Sequence, residues 1–134
     1  MARVSLNLYL QPSMIEIYVR FKTQLGSSKL TVGFIDTGAT VSLFPLNFLN
    51  ELEHTIINPS IEIEQAGIAG QVFNAVEAEV QLYCEDTQGN VSPELTVRAW
   101  FADTSKIIIG FQDILDRATL YADFRQSRTG WIEI

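Results

Sequence analysis

The chain has 134 residues, 47% of them hydrophobic, which is enough for one domain with a useful core, so we take residues 1–134 as a single domain. The formal net charge is −7, and the nine basic residues form no cluster, which argues against nucleic acid as a partner. The acidity fits simple solubility and activity in mild acid equally well. No apolar run approaches the ~20 residues of a membrane helix, and the N-terminus has no signal-peptide core, so we expect a soluble, cytoplasmic protein without a membrane partner.

Cysteine and histidine each occur once. Cys84 is the only cysteine, so no disulfide can form within the chain, and it lies in an alternating apolar stretch typical of a core residue. A catalytic thiol needs a basic partner, and the only histidine is His54, which follows the first predicted helix. We therefore expect Cys84 to be structural and His54 to lie at the surface.

The N-terminal half alternates apolar and polar residues with period two, which is the pattern of β-strands. Pro12-Ser13 and residues 26–28 predict turns between these strands, and Pro45 predicts the start of a short helix that continues to residue 52. Asn58-Pro59 predicts a break in the chain. The strands are predicted at residues 4–10, 15–21 and 30–35.

The C-terminal half continues the strand pattern around small residues. Residues 66–70, Ala-Gly-Ile-Ala-Gly, predict the flexible tip of a hairpin, and residues 86–90 predict another turn. The apolar run 107–109 predicts a strand buried on both faces, and residues 112–117 predict a second short helix. Many short strands with regular turns indicate an all-β, closed or sandwiched domain. Further strands are predicted at residues 61–64, 72–82, 95–101, 120–124 and 131–134.

Asp36 is the residue that points to chemistry. It follows an apolar strand and precedes Thr37-Gly38. A carboxylate at the end of a buried strand is costly unless a partner satisfies it or a reaction uses it. Gly38 lets the backbone turn so that amides face the carboxylate, and Thr37 offers a hydroxyl. Asp-Thr-Gly is also a common turn in β-proteins, so the tripeptide alone leaves both interpretations open.

Three segments together resemble the retropepsin family of aspartic peptidases. Phe34-Ile35-Asp36-Thr37-Gly38-Ala39 is similar to the family's active-site loop, and Gly67-Ile68-Ala69-Gly70 is similar to its glycine-rich flap tip. Ile108-Ile109-Gly110, followed by Asp113-Ile114-Leu115, is similar to the second family signature, two hydrophobic residues and a glycine before a helix. The three segments occur in the family's order, and the resemblance covers residues 3–134.

The resemblance implies the acid-protease fold, an all-β, closed, barrel-like domain with a flap hairpin and one or two short helices. It implies an aspartic endopeptidase that cuts an extended polypeptide, and it implies no metal or organic cofactor. Peptide hydrolysis by this route needs two carboxylates that share a proton about one water molecule. A chain with one Asp-Thr-Gly therefore has to form a twofold homodimer. The residues implied as catalytic are Asp36, Thr37 and Gly38, and those implied as substrate-binding are Ala39 and the flap residues Ala66, Gly67, Ile68, Ala69 and Gly70.

Several positions depart from the family's pattern. Many retroviral members have Asp and Arg where this chain has Thr40 and Phe111, so the ion-pair network of those residues has to be absent or rebuilt. Arg117 is a candidate substitute, with Asp116 or Asp123 as its partner. Asp113 and Asp116 are otherwise expected to be solvated or to cap the second helix. In the flap, Ala69 replaces a common glycine, and the features together are closer to cellular or bacterial relatives than to viral enzymes.

Two other functions stay open at the level of sequence. The chain could be a retropepsin-like module that dimerises or captures peptide with little or no turnover, because a fold does not dictate a function. It could also be an unrelated β-barrel in which Asp36-Thr37-Gly38 is a plain turn. Dimerisation without cleavage favours the first, and monomeric behaviour with tolerance of Asp36→Asn favours the second.

Overall fold

The computed structural model describes residues 2–64 and 72–134, and most of the regular structure in them is β-strand. The helices in these ranges are two short 3-10 turns, Leu46–Asn50 and Leu115–Arg117, and neither is long and apolar enough to cross a membrane. The all-β prediction is therefore confirmed. The strands are β1 (Arg3–Leu10), β2 (Ser13–Lys22), β3 (Ser28–Ile35), β4 (Ser42–Pro45), β5 (His54–Glu64), β6 (Val72–Glu85), β7 (Leu95–Ala102), β8 (Ile108–Ile109), β9 (Thr119–Asp123) and β10 (Thr129–Glu133).

The strands of the described residues form one sheet that curls back on itself. Its order is β5-β6-β7-β4-β8-β3-β2-β1-β10-β9, with antiparallel hairpins at β1–β2, β2–β3, β5–β6 and β9–β10. An additional antiparallel pairing joins β6 to β2, with Val19 opposite Cys84. This pairing closes a ring through β6, β7, β4, β8, β3 and β2, and it leaves β5 and β9 as the two edges.

The core lies inside this ring and follows the period-two pattern of the sequence. Along β7, for example, Leu95, Val97, Ala99 and Phe101 are buried while the residues between them are more exposed. The side chain of Phe44 from β4 packs between those of Phe21 and Phe101, with ring centroids 5.0 and 5.5 Å away. Removing such side chains from water supplies most of the stabilisation of a small domain. Alternation therefore predicted the core-facing side of strands such as β2 and β7. It was wrong for β3, where Leu30 and Val32 are exposed and Thr31 is buried instead.

A crossing arrangement at the centre of the sheet positions the candidate site. β8 pairs in parallel with β3, so that Phe34 lies opposite Ile108 and Ile35 opposite Ile109. β4 lies on the other side of β8, where Leu43 pairs with Ile108. The chain therefore leaves β3, turns through residues 36–41, and returns as β4 on the far side of β8. The turn between β3 and β4 has to wrap around the C-terminal end of β8.

Several local predictions differ from the structure. Asn58-Pro59 does not break the chain but lies inside β5, where the register with β6 shifts twice between Ile56 and Ile61. β5 is an edge strand, so proline costs no ladder hydrogen bond there. Both predicted helices are single 3-10 turns, because neither segment has enough residues to repeat an α-helical pattern. In the run predicted to be buried on both faces, only Ile109 is fully buried.

Candidate active site

Asp36 is the first residue after β3, and β8 fixes its backbone. The Asp36 amide donates a hydrogen bond to the Ile109 carbonyl at 3.0 Å, which continues the parallel β3–β8 ladder by one residue. The Asp36 side chain itself is exposed, as are Thr37 and Gly38. The sequence therefore places a carboxylate on a rigid strand end and leaves it accessible to water.

The turn after Asp36 directs one backbone amide at the carboxylate. The Gly38 amide donates to Asp36 Oδ1 at 2.8 Å, and the Ala39 amide donates to the Asp36 carbonyl at 3.1 Å. A Cβ atom at residue 38 would lie 3.2 Å from Oδ1, so glycine gives this close approach without displacing the carboxylate. The expected amide from Gly38 is therefore present. Among the described residues, no group donates a hydrogen bond to Asp36 Oδ2, which is left for a solvent molecule or a ligand.

The segment that follows β8 forms backbone hydrogen bonds to the turn after Asp36 and holds it in place. The amides of Phe111 and Gln112 donate to the carbonyls of Ala39 and Thr40 at 3.0 and 2.9 Å. Gly110 passes so close that a Cβ atom there would lie 2.8 Å from the Ala39 carbonyl oxygen and 2.9 Å from a backbone carbon of Val41. We call residues 36–42 together with 109–112 the Asp36 clamp.

Ser42 completes the Asp36 clamp and was not singled out from the sequence. Its side chain is fully buried, and its Oγ accepts a hydrogen bond from the Gly110 amide at 2.9 Å. A serine at the start of an apolar strand gives no signal of this role in the sequence. Its partner lies 68 residues further along the chain and is brought to it only by the crossing of β3, β8 and β4.

A cleft of about 640 Å³ opens beside the Asp36 carboxylate. Its apolar part comes from Leu43, Ile108, Ala102 and Phe73, and its polar part comes from the segment after β7 and from β6. The volume is within the range of sites that hold a ligand of several residues or of drug size. The residues that line it are Asp36, Leu43, Phe73, Asn74, Ala102, Asp103, Thr104, Lys106 and Ile108.

The predicted substrate-binding residues are divided by the structure. The flap-tip residues Ala66, Gly67, Ile68, Ala69 and Gly70 lie outside the described residues. The hairpin arms that lead to them end at Glu64 and begin again at Val72, and Phe73 and Asn74 on the second arm line the cleft beside Asp36. Ala39 does not line this cleft, because its carbonyl is turned towards Phe111 in the Asp36 clamp.

Arg117 was predicted to replace the missing ion-pair network together with Asp116 or Asp123, and the prediction is wrong in these two partners. Arg117 forms an ion pair with neither Asp116 nor Asp123, and its guanidinium lies 3.7 Å from Asp113 Oδ1. Asp123 instead caps the turn after β9, where it accepts hydrogen bonds from the amides of residues 125–127. These donors lower the pKa of the Asp123 carboxyl. The Asp123 carboxylate is therefore satisfied by hydrogen bonds from its own turn and forms no ion pair with Arg117.

Asp113 neither stands free in solvent nor caps the second short helix, which were the two roles expected for it. Its Oδ2 accepts a hydrogen bond from the Arg98 amide of β7 at 3.0 Å, and its backbone has a positive φ of 64°. Aspartate tolerates this left-handed conformation better than most residues. Asp113 therefore ties the segment after the Asp36 clamp to β7, which is the strand that leads into the cleft.

The cysteine prediction is confirmed by burial. Cys84 is fully buried on β6, and this burial raises the pKa of its thiol to about 12. A thiol in that environment stays protonated near neutral pH and is a poor nucleophile. In residues 2–64 and 72–134, no three His, Cys, Asp or Glu side chains come together in a way that could hold a metal ion.

Comparison with known proteins adds nothing to this geometry: no family model matches the chain, and no curated protein or solved structure does either.

Proposed function

We propose that the chain is one protomer of a homodimeric aspartic endopeptidase of the retropepsin type. The observation that carries the proposal is the Asp36 clamp, which holds an exposed carboxylate at the end of a central strand and at the floor of a partly apolar cleft. The retropepsin-like fold is part of this proposal. The ring of strands, the crossing of β3 and β8, and the order of the three sequence signatures all support it.

The carboxylate has the surroundings that water activation requires. The backbone amide of Gly38 donates a hydrogen bond to one carboxylate oxygen of Asp36, which restricts the rotation of the Asp36 side chain. Oδ2 has no hydrogen-bond donor among the described residues, so in this proposal it accepts a proton from a water molecule while the water attacks a peptide carbonyl. The rigid backbone of the Asp36 clamp keeps this oxygen at a fixed position, which is the main geometric demand of general base catalysis.

A second copy supplies the second carboxylate. The reaction needs one ionised carboxylate as base and one protonated carboxyl to hydrogen-bond the carbonyl oxygen, and two such groups held together share one proton. Thr37 and Gly38 are exposed next to Asp36, so a twofold axis can pass beside this turn and bring two Asp36 side chains together. Thr37 would then lie at the interface between protomers, where its hydroxyl can bond across the axis.

The substrate in this proposal is an extended polypeptide. An extended segment presents side chains alternately, and the apolar residues of the cleft suit apolar side chains near the bond that is cut. Phe73 and Asn74 of β6 line the cleft, so in this proposal the β5–β6 hairpin covers the bound peptide. Covering the peptide excludes water other than the attacking molecule and strengthens the electrostatic contacts in the site.

The test is cleavage of an unfolded protein between about pH 4 and 7 by the wild type and by Asp36→Asn, with the mass of each protein in solution measured in the same buffers. We expect Asp36→Asn to remain a dimer and to lose cleavage by about a thousandfold or more. The matched control is Asp116→Asn, which makes the same chemical change on an exposed residue outside the cleft and should cleave like the wild type.

Each of the other outcomes supports a different function for this chain. A stable dimer that never cleaves points to a retropepsin-like module that binds peptide without turnover. A monomer whose properties survive Asp36→Asn points to an unrelated β-domain in which Asp36-Thr37-Gly38 is an ordinary turn. Equal loss of cleavage in Asp36→Asn and Asp116→Asn would mean that the observed activity does not come from this site.

A further inference from the structure

The cleft beside Asp36 contains one cation, Lys106, which forms no ion pair with any of the described residues. Lys106 is the only basic residue among those that line the cleft. No carboxylate oxygen of the described residues lies within 4.0 Å of its ammonium group. The other two lysines, Lys22 and Lys29, are paired with Glu53 and Glu51. Lys106 therefore differs from the rest of the lysines in both place and pairing.

The position of Lys106 relative to Asp36 is set by β8. The Ile109 carbonyl accepts the Asp36 amide, and Lys106 precedes Ile109 by three residues on the segment that enters β8. At about 3.3 Å per residue, this places the two backbones about 10 Å apart along the strand direction. An extended peptide advances by a similar distance over three residues, so a peptide that ran in this direction from Asp36 would bring a residue near the cut bond beside Lys106.

The backbone around Lys106 is held in place. Its amide donates to Thr104 Oγ1 at 3.1 Å, and the Thr104 amide donates to the Ala102 carbonyl at 2.8 Å. Ile108, two residues later, lines the same cleft. Side chains two apart in an extended segment share a face, which agrees with Lys106 and Ile108 both lining the cleft, and Lys106 is exposed there.

We propose that Lys106 selects an acidic side chain in the peptide that occupies the Asp36 cleft, with glutamate fitting best because its stem suits the apolar wall. The proposal rests on the proposed function, since it assigns a preference to that same site. Asp103 also lines the cleft, but no carboxylate oxygen of Asp103 lies within 4.0 Å of the Lys106 ammonium group. A lysine left unpaired at a cleft wall gains a charge-assisted hydrogen bond when a carboxylate enters.

The test uses octapeptides with an apolar pair at the centre and with Glu, Gln or Lys at one flanking position in turn. At about pH 6 we expect kcat/KM for the Glu peptide to exceed that for the Gln peptide by about three- to tenfold at one position. Near pH 3.5 the peptide carboxyl is mostly protonated, because its ordinary pKa is about 4.3, so the ratio should approach one. A ratio that is unchanged at low pH would overturn the proposal.

Two variants at residue 106 and one matched control separate this contact from a general effect of charge. Lys106→Gln should bring the Glu-to-Gln ratio to about one, and Lys106→Glu should reverse the preference towards the Lys peptide. Lys22→Gln removes the same charge from a different part of the surface, so it should leave the ratio as in the wild type. If Lys22→Gln and Lys106→Gln change the ratio equally, the selection comes from net charge and the proposal is wrong.

Binding separates the failure of this inference from the failure of the proposed function. If no peptide is cut, fluorescence anisotropy of the same labelled peptides on the wild-type protein measures the preference directly. Tighter binding of the Glu peptide that disappears in Lys106→Gln supports the inference and leaves only the peptidase proposal refuted. Equal binding of the three peptides, or binding of none, overturns the inference itself.

Discussion

Three turns of this molecule begin with Asp-Thr directly after a strand, at Asp36, Asp86 and Asp103, and the fold uses the carboxylates of the first two in opposite ways. Asp36 follows β3, and Asp86 follows β6. Asp86 is only 7% exposed, and its two oxygens accept four hydrogen bonds, from the amides of Ser5, Gln88 and Asn90 and from the Asn90 side chain. Asp36 is exposed and accepts one, from Gly38.

The contrast explains how a carboxylate becomes available for chemistry. Burial raises the pKa of Asp86, but its hydrogen-bond donors outweigh burial and lower the pKa to about 2. All of its bonding capacity is used to join β1 to the turn after β6. The turn at Asp36 is held instead by backbone bonds to residues 109–112, so its carboxylate is not needed for the fold. A turn stabilised from outside leaves its side chain free to react.

The largest effect that this comparison predicts is a difference in stability between two variants that carry the same chemical change, Asp86→Asn and Asp36→Asn. Asp86→Asn should lower the free energy of unfolding by about 3 kcal/mol, because it places an amide NH₂ against donors that now bind a carboxylate. Asp36→Asn should change it by less than about 0.5 kcal/mol, because the side chain is exposed. Urea denaturation at fixed protein concentration measures both. Equal losses of stability would mean that Asp36 is a structural turn residue like Asp86.

The sequence predicted the part of the fold that depends on local pattern. Alternation identified most of the strands and the buried faces of β2 and β7, because the side chains of a strand alternate between core and solvent. It gave the wrong face for β3, where Thr31 is buried and Leu30 and Val32 are exposed. It could not predict that Pro59 lies inside β5, since that depends on β5 being an edge strand. The short helices were overestimated because a single 3-10 turn and the start of an α-helix share the same few residues.

The candidate site was predicted only where its residues are adjacent in the chain. Asp36 and the amide of Gly38 follow from one tripeptide. Ser42, Asp113 and Lys106 did not follow, because their partners are 15 to 68 residues away or are defined only by the cleft. A serine or lysine carries no signal of such a role until the crossing of β3 and β8 brings the segments together.

Substitutions at two glycines test whether each turn is stabilised by a neighbouring segment or by bonds within the turn. Gly110 belongs to the segment that packs against the Asp36 turn, and Gly89 lies within the Asp86 turn. Gly110→Ala should cost about 3 kcal/mol in stability, because the new Cβ atom would lie within 3.0 Å of backbone atoms of Ala39 and Val41. Gly89→Ala, in the Asp86 turn, should cost about 1 kcal/mol, because that residue has a φ of +88° but open space around it. Thermal or urea unfolding gives both values. A smaller loss for Gly110→Ala than for Gly89→Ala would contradict the description of the Asp36 clamp.

Acid should weaken the Asp86 turn. The pKa of Asp86 is lowered from 3.8 to about 2 by folding, so the unfolded chain takes up the proton first as pH falls. The stabilisation is complete above about pH 4, and about 2 kcal/mol of it is lost by about pH 2. The difference in unfolding free energy between wild type and Asp86→Asn should shrink over this interval. A difference that stays constant from pH 6 to 2 would show that the charge on Asp86 does not matter.

The smallest predicted effect comes from replacing one buried serine beside each turn. The two variants should differ in activity but not in stability. Ser42 and Ser92 are both buried, and each accepts a hydrogen bond from a backbone amide, of Gly110 and of Cys84, both at 2.9 Å. Replacing either serine by alanine leaves a buried amide without its acceptor, at a cost of about 1–2 kcal/mol. The two variants should therefore be destabilised to a similar extent, as measured by urea denaturation.

Their peptidase activities should differ, because only Ser42 belongs to the Asp36 clamp. A shift of the Gly110 backbone in Ser42→Ala moves the residues that hold Ala39 and Thr40, and a displacement of a fraction of an ångström at the carboxylate is enough to lower kcat by about tenfold. Ser92→Ala disturbs only the neighbourhood of Cys84 and Pro93, so its kcat should match that of the wild type at temperatures where both are folded. If both variants lose activity in proportion to their loss of stability, the clamp supports the fold and does not tune the site. If only Ser42→Ala loses activity, the external hydrogen bonds are what keep Asp36 in a reactive position.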